Sequence, residues 1–240
     1  MPTEIELVSG QITGRTVVIT GAASGIGRAL ALGFLAAGAK VVASDIAESG
    51  LTELADAGAI TLRVDVTIEA DVQSMMRVAV ERTGRVDVLF NNAGIGGRQR
   101  IEKMPDAMYE RFIATHLFGG FYGFRAALPI MRAQNHGRII TLVGRALEAR
   151  DPGWAAYGSA KAGLHVLTRI AAAETAGTDI LINSLLPGMT RSGMMEGEGL
   201  QEPETVYPYA LRLAALPTGG PTGKCFMHGE EYRLFQDRDD

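Results

Sequence analysis

The chain is short of several things, and each shortage excludes a class of protein. It holds a single cysteine, Cys225, so no internal disulfide can form. No Cys/His group has the spacing of a zinc site, and no metal is expected. Lys and Arg total 23 against 27 Asp and Glu, a net charge of −4, which leaves no basic footprint for nucleic acid or an anionic membrane. No apolar run reaches the ~20 residues that span a bilayer. The start, Met1 to Gly10, carries Glu4 and Glu6 where a signal peptide would place basic and then apolar residues. These absences lead us to expect a cytoplasmic protein whose partner is a small molecule. What is plentiful is glycine, 30 of 240 residues, beside only 6% aromatics and a 47% hydrophobic fraction. Such a chain can bury a sizeable core and still let backbone approach a ligand closely.

Short apolar, β-branched runs alternate with longer helical patterns. Strands are expected at 15–20, 40–45, 60–64, 86–91, 138–143 and 179–183, with a last short one near 224–228. Helices are expected at 25–38, weakly at 49–57, at 68–83, as one long rod over 106–133, and at 155–175. Strands apolar throughout, each followed by a helix, predict a single-domain, doubly wound Rossmann-type α/β fold: a parallel sheet with helices on both faces, spanning 1–240. Residues 193–222, with several Gly and Pro, hold the least regular pattern and read as a substrate-covering segment. Residues 236–240 read as a loose polar tail.

The turn Thr20-Gly-Ala-Ala-Ser-Gly-Ile-Gly27 stands where the first strand meets the first helix. Gly21, Gly25 and Gly27 permit a tight turn, close approach of a pyrophosphate and tight helix–strand packing, with Ser24 and Ile26 between them. The helix N-terminus then offers amide hydrogens to phosphate. Asp45, followed by Ile46, ends the second strand, where a carboxylate can accept from ribose hydroxyls and repel the 2′-phosphate of NADP. NAD is the expected cofactor.

That glycine spacing, Asn91-Asn92-Ala93-Gly94 after the fourth strand, Tyr157-x-x-x-Lys161 on a later helix and Pro187-Gly188 after the sixth strand together resemble the short-chain dehydrogenase/reductase family over about 12–230. The resemblance implies that Asp65 and Val66 lie near the adenine, and Asn92, Ala93 and Gly94 near its ribose. It implies that Pro187, Gly188, Thr190 and Ser192 line the nicotinamide. Ser24 stands where NADP-preferring relatives often carry a basic residue. Members usually form homodimers or homotetramers through the helices at about 106–133 and 155–175, and a homo-oligomer is expected here.

Tyr157 and Lys161, four apart on a helix, share one face. A free tyrosine titrates near pH ~10. A neighbouring ammonium and a positive nicotinamide would draw that value toward neutrality, making Tyr157 the general acid/base of alcohol–carbonyl interconversion. Lys161 would also hold the nicotinamide ribose. Two positions depart from the family pattern. Gly144 replaces the substrate-orienting serine, and His116 replaces the usual asparagine, either as a catalytic hydrogen-bonding group or as a core histidine. Losing one donor to a developing oxyanion costs ~10²–10³-fold, so three readings stand. The first is an NAD(H)-dependent oxidoreductase acting on a small to medium, largely apolar compound. The others are a protein doing proton transfer without redox change, and a weakly active NAD-binding sensor. The substrate pocket is expected to include Gly144, Arg145, Trp154, Met189 and Met194, with the methionines forming an adaptable cover.

Overall fold

A computed structural model describes residues 10–148, 151–191 and 200–235; Ser192, Met194 and the polar tail lie outside the described residues. The first half runs β1 (Thr16–Thr20), α1 (Gly25–Ala36), β2 (Lys40–Asp45), α2 (Thr52–Asp56), β3 (Ile60–Arg63), α3 (Glu69–Thr83) and β4 (Val88–Asn91). The second half runs α4 (Asp106–Phe112), α5 (Gly119–Gln134), β5 (Gly137–Leu142), α6 (Ala155–Glu174), β6 (Ile180–Leu186), α7 (Tyr207–Ala214), β7 (Cys225–Met227) and β8 (Glu230–Glu231). The strands form one sheet in the order β3-β2-β1-β4-β5-β6-β7-β8. Every pairing is parallel except β7 with β8, an antiparallel edge hairpin that the sequence pattern does not reveal.

Alternate residues of each strand feed two cores. Val17, Ile19, Val41, Val88 and Phe90 pack with Leu30 and Phe34 of α1 and Leu211 of α7 on one face. Val18, Val42, Leu89 and Ile139 pack with Met75 and Met76 of α3, Phe124 and Met131 of α5 and Leu164 of α6 on the other. Both faces being covered explains why the strands read as continuous apolar runs. Strand order reverses between β1 and β4, and the crevice beyond their carboxyl ends is where such sheets bind ligands.

Two expectations need correction. The rod over 106–133 is not uniform: Ile113–Phe118 forms a π-helical turn between α4 and α5. One extra residue is accommodated there, and the ring of His116 turns inward to meet the backbone of Ile95. Nor is 193–222 a covering segment throughout. Val206, Ala210, Leu211 and Ala214 are fully buried in the first core, against α1 and the sheet. Burial of an amphipathic α7 organises residues that composition alone marks as irregular.

Candidate active site

The glycine-rich turn is built as the spacing requires. Gly21 (φ +68°) and Gly25 (φ +51°) occupy left-handed backbone that side chains rarely adopt. Gly27 has no space for more than hydrogen, since a β-carbon there would lie 2.0 Å from the Gly21 carbonyl oxygen. This cradle fits a dinucleotide pyrophosphate. Asn92 takes a part that the sequence does not show. Its side-chain amide donates to the carbonyls of Thr20 (2.9 Å) and Gly21 (3.0 Å), so it braces the turn from behind. Thr20, which sequence reading passed over, completes the clasp. Its hydroxyl accepts from the amides of Asn92 and Ala93, both at 3.1 Å, and donates to the Phe90 carbonyl. Local spacing in the sequence cannot show such a cross-strand bond.

Asp45 stands at the end of β2, fixed by the amides of Ala23 (3.0 Å) and Ala47 (2.9 Å). Exposed Ile46 follows it at the rim, and exposed Ser24 opens α1 without capping it by a side-chain bond. Arg28 on α1 is bound to Glu53 through two short hydrogen bonds, and Arg63, opposite Asp45 in the sheet register, pairs with Glu48 at 3.7 Å. Asp65 accepts from the amide and hydroxyl of Thr67, which turns the chain into α3. Val66 packs over Gly119 at the π turn.

At the neighbouring strand ends lies a cleft of about 290 Å³. Ile26, Gly144, Arg145, Trp154 and Tyr157 line it, with Pro187, Gly188, Met189 and Thr190 after β6. Arg98, Gly96, Val143, Ala146 and Asp151 also reach this wall and were not foreseen as pocket residues. Gln201 is another omission. Its side-chain amide donates to the Thr190 hydroxyl (2.9 Å) and to the Pro187 carbonyl, and its backbone bonds Met189 and Arg191, so it pins the loop after β6. The pattern gave no local signal for it, because the pairing joins residues on either side of an irregular stretch.

Tyr157 is half-buried between the rings of Trp154 (5.4 Å between centroids) and His116 (5.1 Å, edge to face). Lys161, one turn on, is buried, and its ammonium donates to the Leu142 carbonyl at 2.7 Å. Lys161 Nζ lies 5.7 Å from the centre of the Tyr157 ring. Withdrawal from water opposes charge on both groups: the Tyr157 hydroxyl is pushed up to about 12 and the Lys161 ammonium is pulled down to about 7. Burial thus opposes the draw toward neutrality expected from the neighbouring ammonium and a positive nicotinamide. The protein by itself keeps Tyr157 protonated, ready to give a proton. The His116 ring is held neutral by burial, with the nearby Lys161 charge adding to the effect. Its Nε2 sits 3.2 Å from the Ile95 amide and 3.0 Å from the Ile95 carbonyl, while Nδ1 is buried without a partner among the described residues. Gly94 makes room for the ring, since a β-carbon there would meet it at 2.5 Å.

Gly144 shows where the family's serine has gone. A β-carbon at that position would lie 2.5 Å from the Tyr157 hydroxyl oxygen. Tyr157 therefore leans into the space that a side chain at 144 would occupy.

The comparisons with known proteins agree with this architecture. Residues 15–203 match the family model for short chain dehydrogenase. The chain is 36% identical over 204 residues to a levodione reductase of Leifsonia aquatica, covering 81% of this chain and 76% of that one. It is 34% identical over 226 residues to a D-beta-hydroxybutyrate dehydrogenase of Rhizobium meliloti, covering 88% and 85% respectively. A crystal structure of a short-chain type dehydrogenase/reductase from Mycobacterium marinum superposes with a TM-score of 0.84 at 28% identity, over 92% of this chain and 96% of that one. The chain belongs to the short-chain dehydrogenase/reductase family, whose members are oxidoreductases that use a nicotinamide cofactor. Among the described residues no helix is long and apolar enough to cross a membrane, and no acidic, His or Cys cluster could hold a metal.

Proposed function

We propose that this protein is an NAD(H)-dependent oxidoreductase that interconverts an alcohol and a carbonyl on a small to medium, largely apolar substrate. The observation that carries the reading is the placing of Tyr157, backed by buried Lys161, in the wall of a cleft that opens beside the glycine-rich turn. Asp45 supports NAD over NADP. Its carboxylate is fixed at the ribose end of the cradle, and Arg28 and Arg63 are each engaged by a glutamate. A 2′-phosphate would meet a negative charge there.

The bound cofactor supplies a hydride acceptor or donor. In reduction, hydride adds to the carbonyl carbon and Tyr157 gives its hydroxyl proton to the carbonyl oxygen, leaving the alcohol. Tyr157, held protonated by burial, suits that direction without further adjustment. In oxidation Tyr157, as tyrosinate, would take the alcohol proton as the hydride leaves the carbon for the oxidised cofactor, and the adjacent Lys161 would stabilise the tyrosinate. Lys161, held by its bond to Leu142, would hold the nicotinamide ribose as well as support Tyr157. We propose Pro187, Gly188 and Thr190 as the nicotinamide wall, with Ser192 and Met194 in the segment that follows. Tyr109, Phe118, Phe121, Val166 and Ile170 stand exposed on the helices at 106–133 and 155–175, an apolar surface that supports assembly into a dimer or tetramer.

The test is the near-ultraviolet absorbance of NADH with purified protein and a panel of alcohols and ketones, run against NADPH and against Tyr157→Phe. Turnover with NAD(H) that the variant loses is the expected result. Tight NADH binding with no absorbance change across the panel would reject redox chemistry in favour of proton transfer alone.

A further inference from the structure

The cleft wall carries positive charge that hydride and proton transfer do not use. Arg98 and Arg145 follow the adjacent strands β4 and β5, and both line the cleft. Arg98 is held in place: its guanidinium carbon lies 4.3 Å from the Trp154 ring centre, and the Gln99 amide bonds the Gly153 carbonyl at 3.0 Å, tying the two loops together. Stacking of this kind orients a guanidinium while leaving its N–H edges free. Arg145 opens the short turn Arg145–Leu147 directly beside Gly144. Neither has an ion-pair partner among the described residues, whereas Arg191 near the same loop is paired with Glu202 at 3.0 Å and Arg28 with Glu53. Arg98 and Arg145 thus stand open on the cleft wall, while Arg191 and Arg28 are engaged by glutamates. Asp151 is the only carboxylate among the described residues that line the cleft, so the wall keeps an excess of one positive charge. Ile26, Val143, Trp154 and Met189 make the rest of it largely apolar.

Resting on the oxidoreductase reading, we propose that the natural substrate is a hydroxy acid or oxo acid anion, whose carboxylate is taken by Arg145 and Arg98 while its reacting carbon faces Tyr157. A guanidinium offers a planar pair of donors that matches a carboxylate, and a low-dielectric wall strengthens the attraction. The same contact replaces what Gly144 no longer provides. With no hydroxyl at 144 to orient the carbonyl, the substrate is aligned from its charged end.

Trp154 is the sole tryptophan of the chain and lines the cleft, so its fluorescence reports occupancy. The intact protein, saturated with oxidised NAD so that no reduction occurs, is titrated with acetoacetate and 4-oxopentanoate and with the methyl ester of each. The acids are expected to bind at least about tenfold more tightly than their esters, in line with a charge-assisted contact. That ratio is expected to fall toward one in Arg145→Gln, to recover in part in Arg145→Lys, and to shrink as salt is raised. Circular dichroism of each variant checks that it has folded. Equal affinity for acid and ester, no saturable binding of the acids, or a ratio untouched by Arg145→Gln overturns the proposal. Turnover of the same compounds separates the two readings. Acid preference without NADH oxidation keeps the anion site and rejects the redox assignment, whereas turnover of neutral ketones with no acid preference does the reverse.

Discussion

The two ends of the crevice are made differently. Where β1 and β2 finish, the cradle is a backbone construction: glycines that cannot accept a side chain, carbonyls clasped by Asn92, and Asp45 held by two main-chain amides. Where β5 and β6 finish, the cleft is a side-chain construction. Tyr157 leans into the space beside Gly144, His116 fills the hollow at Gly94, and Arg98 rests on Trp154. A backbone cradle binds a ligand part common to many enzymes and tolerates little change. A side-chain cleft can be reshaped one residue at a time, which is how a shared fold comes to serve different substrates.

The contrast is broken most severely at the tyrosine. Tyr157→Phe removes the hydroxyl placed at the cleft wall beside Lys161, and turnover is expected to fall by ~10²–10⁴-fold. NADH affinity, set at the other end, should change little, which a fluorescence titration alongside the kinetics would show. A parallel loss of cofactor binding would mean that the two ends are not separable. Asp45→Ser attacks the cradle instead. If this fixed carboxylate accepts from the ribose hydroxyls as proposed, its loss should weaken NADH binding by ~10–100-fold, as expected for hydrogen bonds to a charged group. NADPH should be hurt far less or gain, and the ratio of the two dissociation constants is the quantity to measure.

Gly144→Ser sharpens the comparison, because the simple family pattern and the structure give opposite answers. By pattern, a restored serine adds a donor and raises activity. In the structure its β-carbon collides with the Tyr157 hydroxyl, and that ring is confined between Trp154 and His116. The expected outcome is a fall of about tenfold in kcat, the scale on which a small misplacement of a reacting group acts. A rise in kcat would show that Tyr157 can swing aside and that the leaning geometry is not the working one.

The same contrast decides what could be read from the sequence. The cradle was legible because its determinants are local: strand, glycine turn, helix, and an acid closing the next strand. Tyr157 and Lys161 were legible because four residues make one helical turn. The cleft was not, because its shape depends on contacts between distant segments. That Arg98 would stack on Trp154, that Gln201 would pin the loop at Pro187, and that residues near 206–214 would plunge into the core all follow from tertiary packing. The π turn at Ile113–Phe118 was not read either, because the stretches on both sides of it are helical and together look like one rod.

The smallest expected effect concerns the stability cost of the site. Lys161 is buried with its ammonium pulled from 10.5 down to about 7, through loss of water. Between those values the unfolded chain holds a proton on this residue that the folded chain does not, so its contribution makes the fold more stable as pH rises through that window. Below about pH 7 both states carry the proton, and the penalty for burying it is at its full value. Lys161→Met keeps length and apolar volume but cannot titrate, and it also leaves the Leu142 carbonyl without its donor. A hydrogen bond from a charged group is worth ~1.5–3 kcal/mol and each unit of pKa shift about 1.4 kcal/mol, so a shift of this size outweighs the lost bond. At pH 7 the variant should therefore melt higher than the parent, by about 2–4 °C for each kcal/mol gained in a chain of this size. By pH 10 the penalty has faded while the bond is still missing, and the order should reverse. Melting curves of cofactor-free protein across pH 6–10 test this directly. Parallel curves for the two proteins would mean that Lys161 keeps its charge when buried, and that its bond to Leu142 compensates for the lost water.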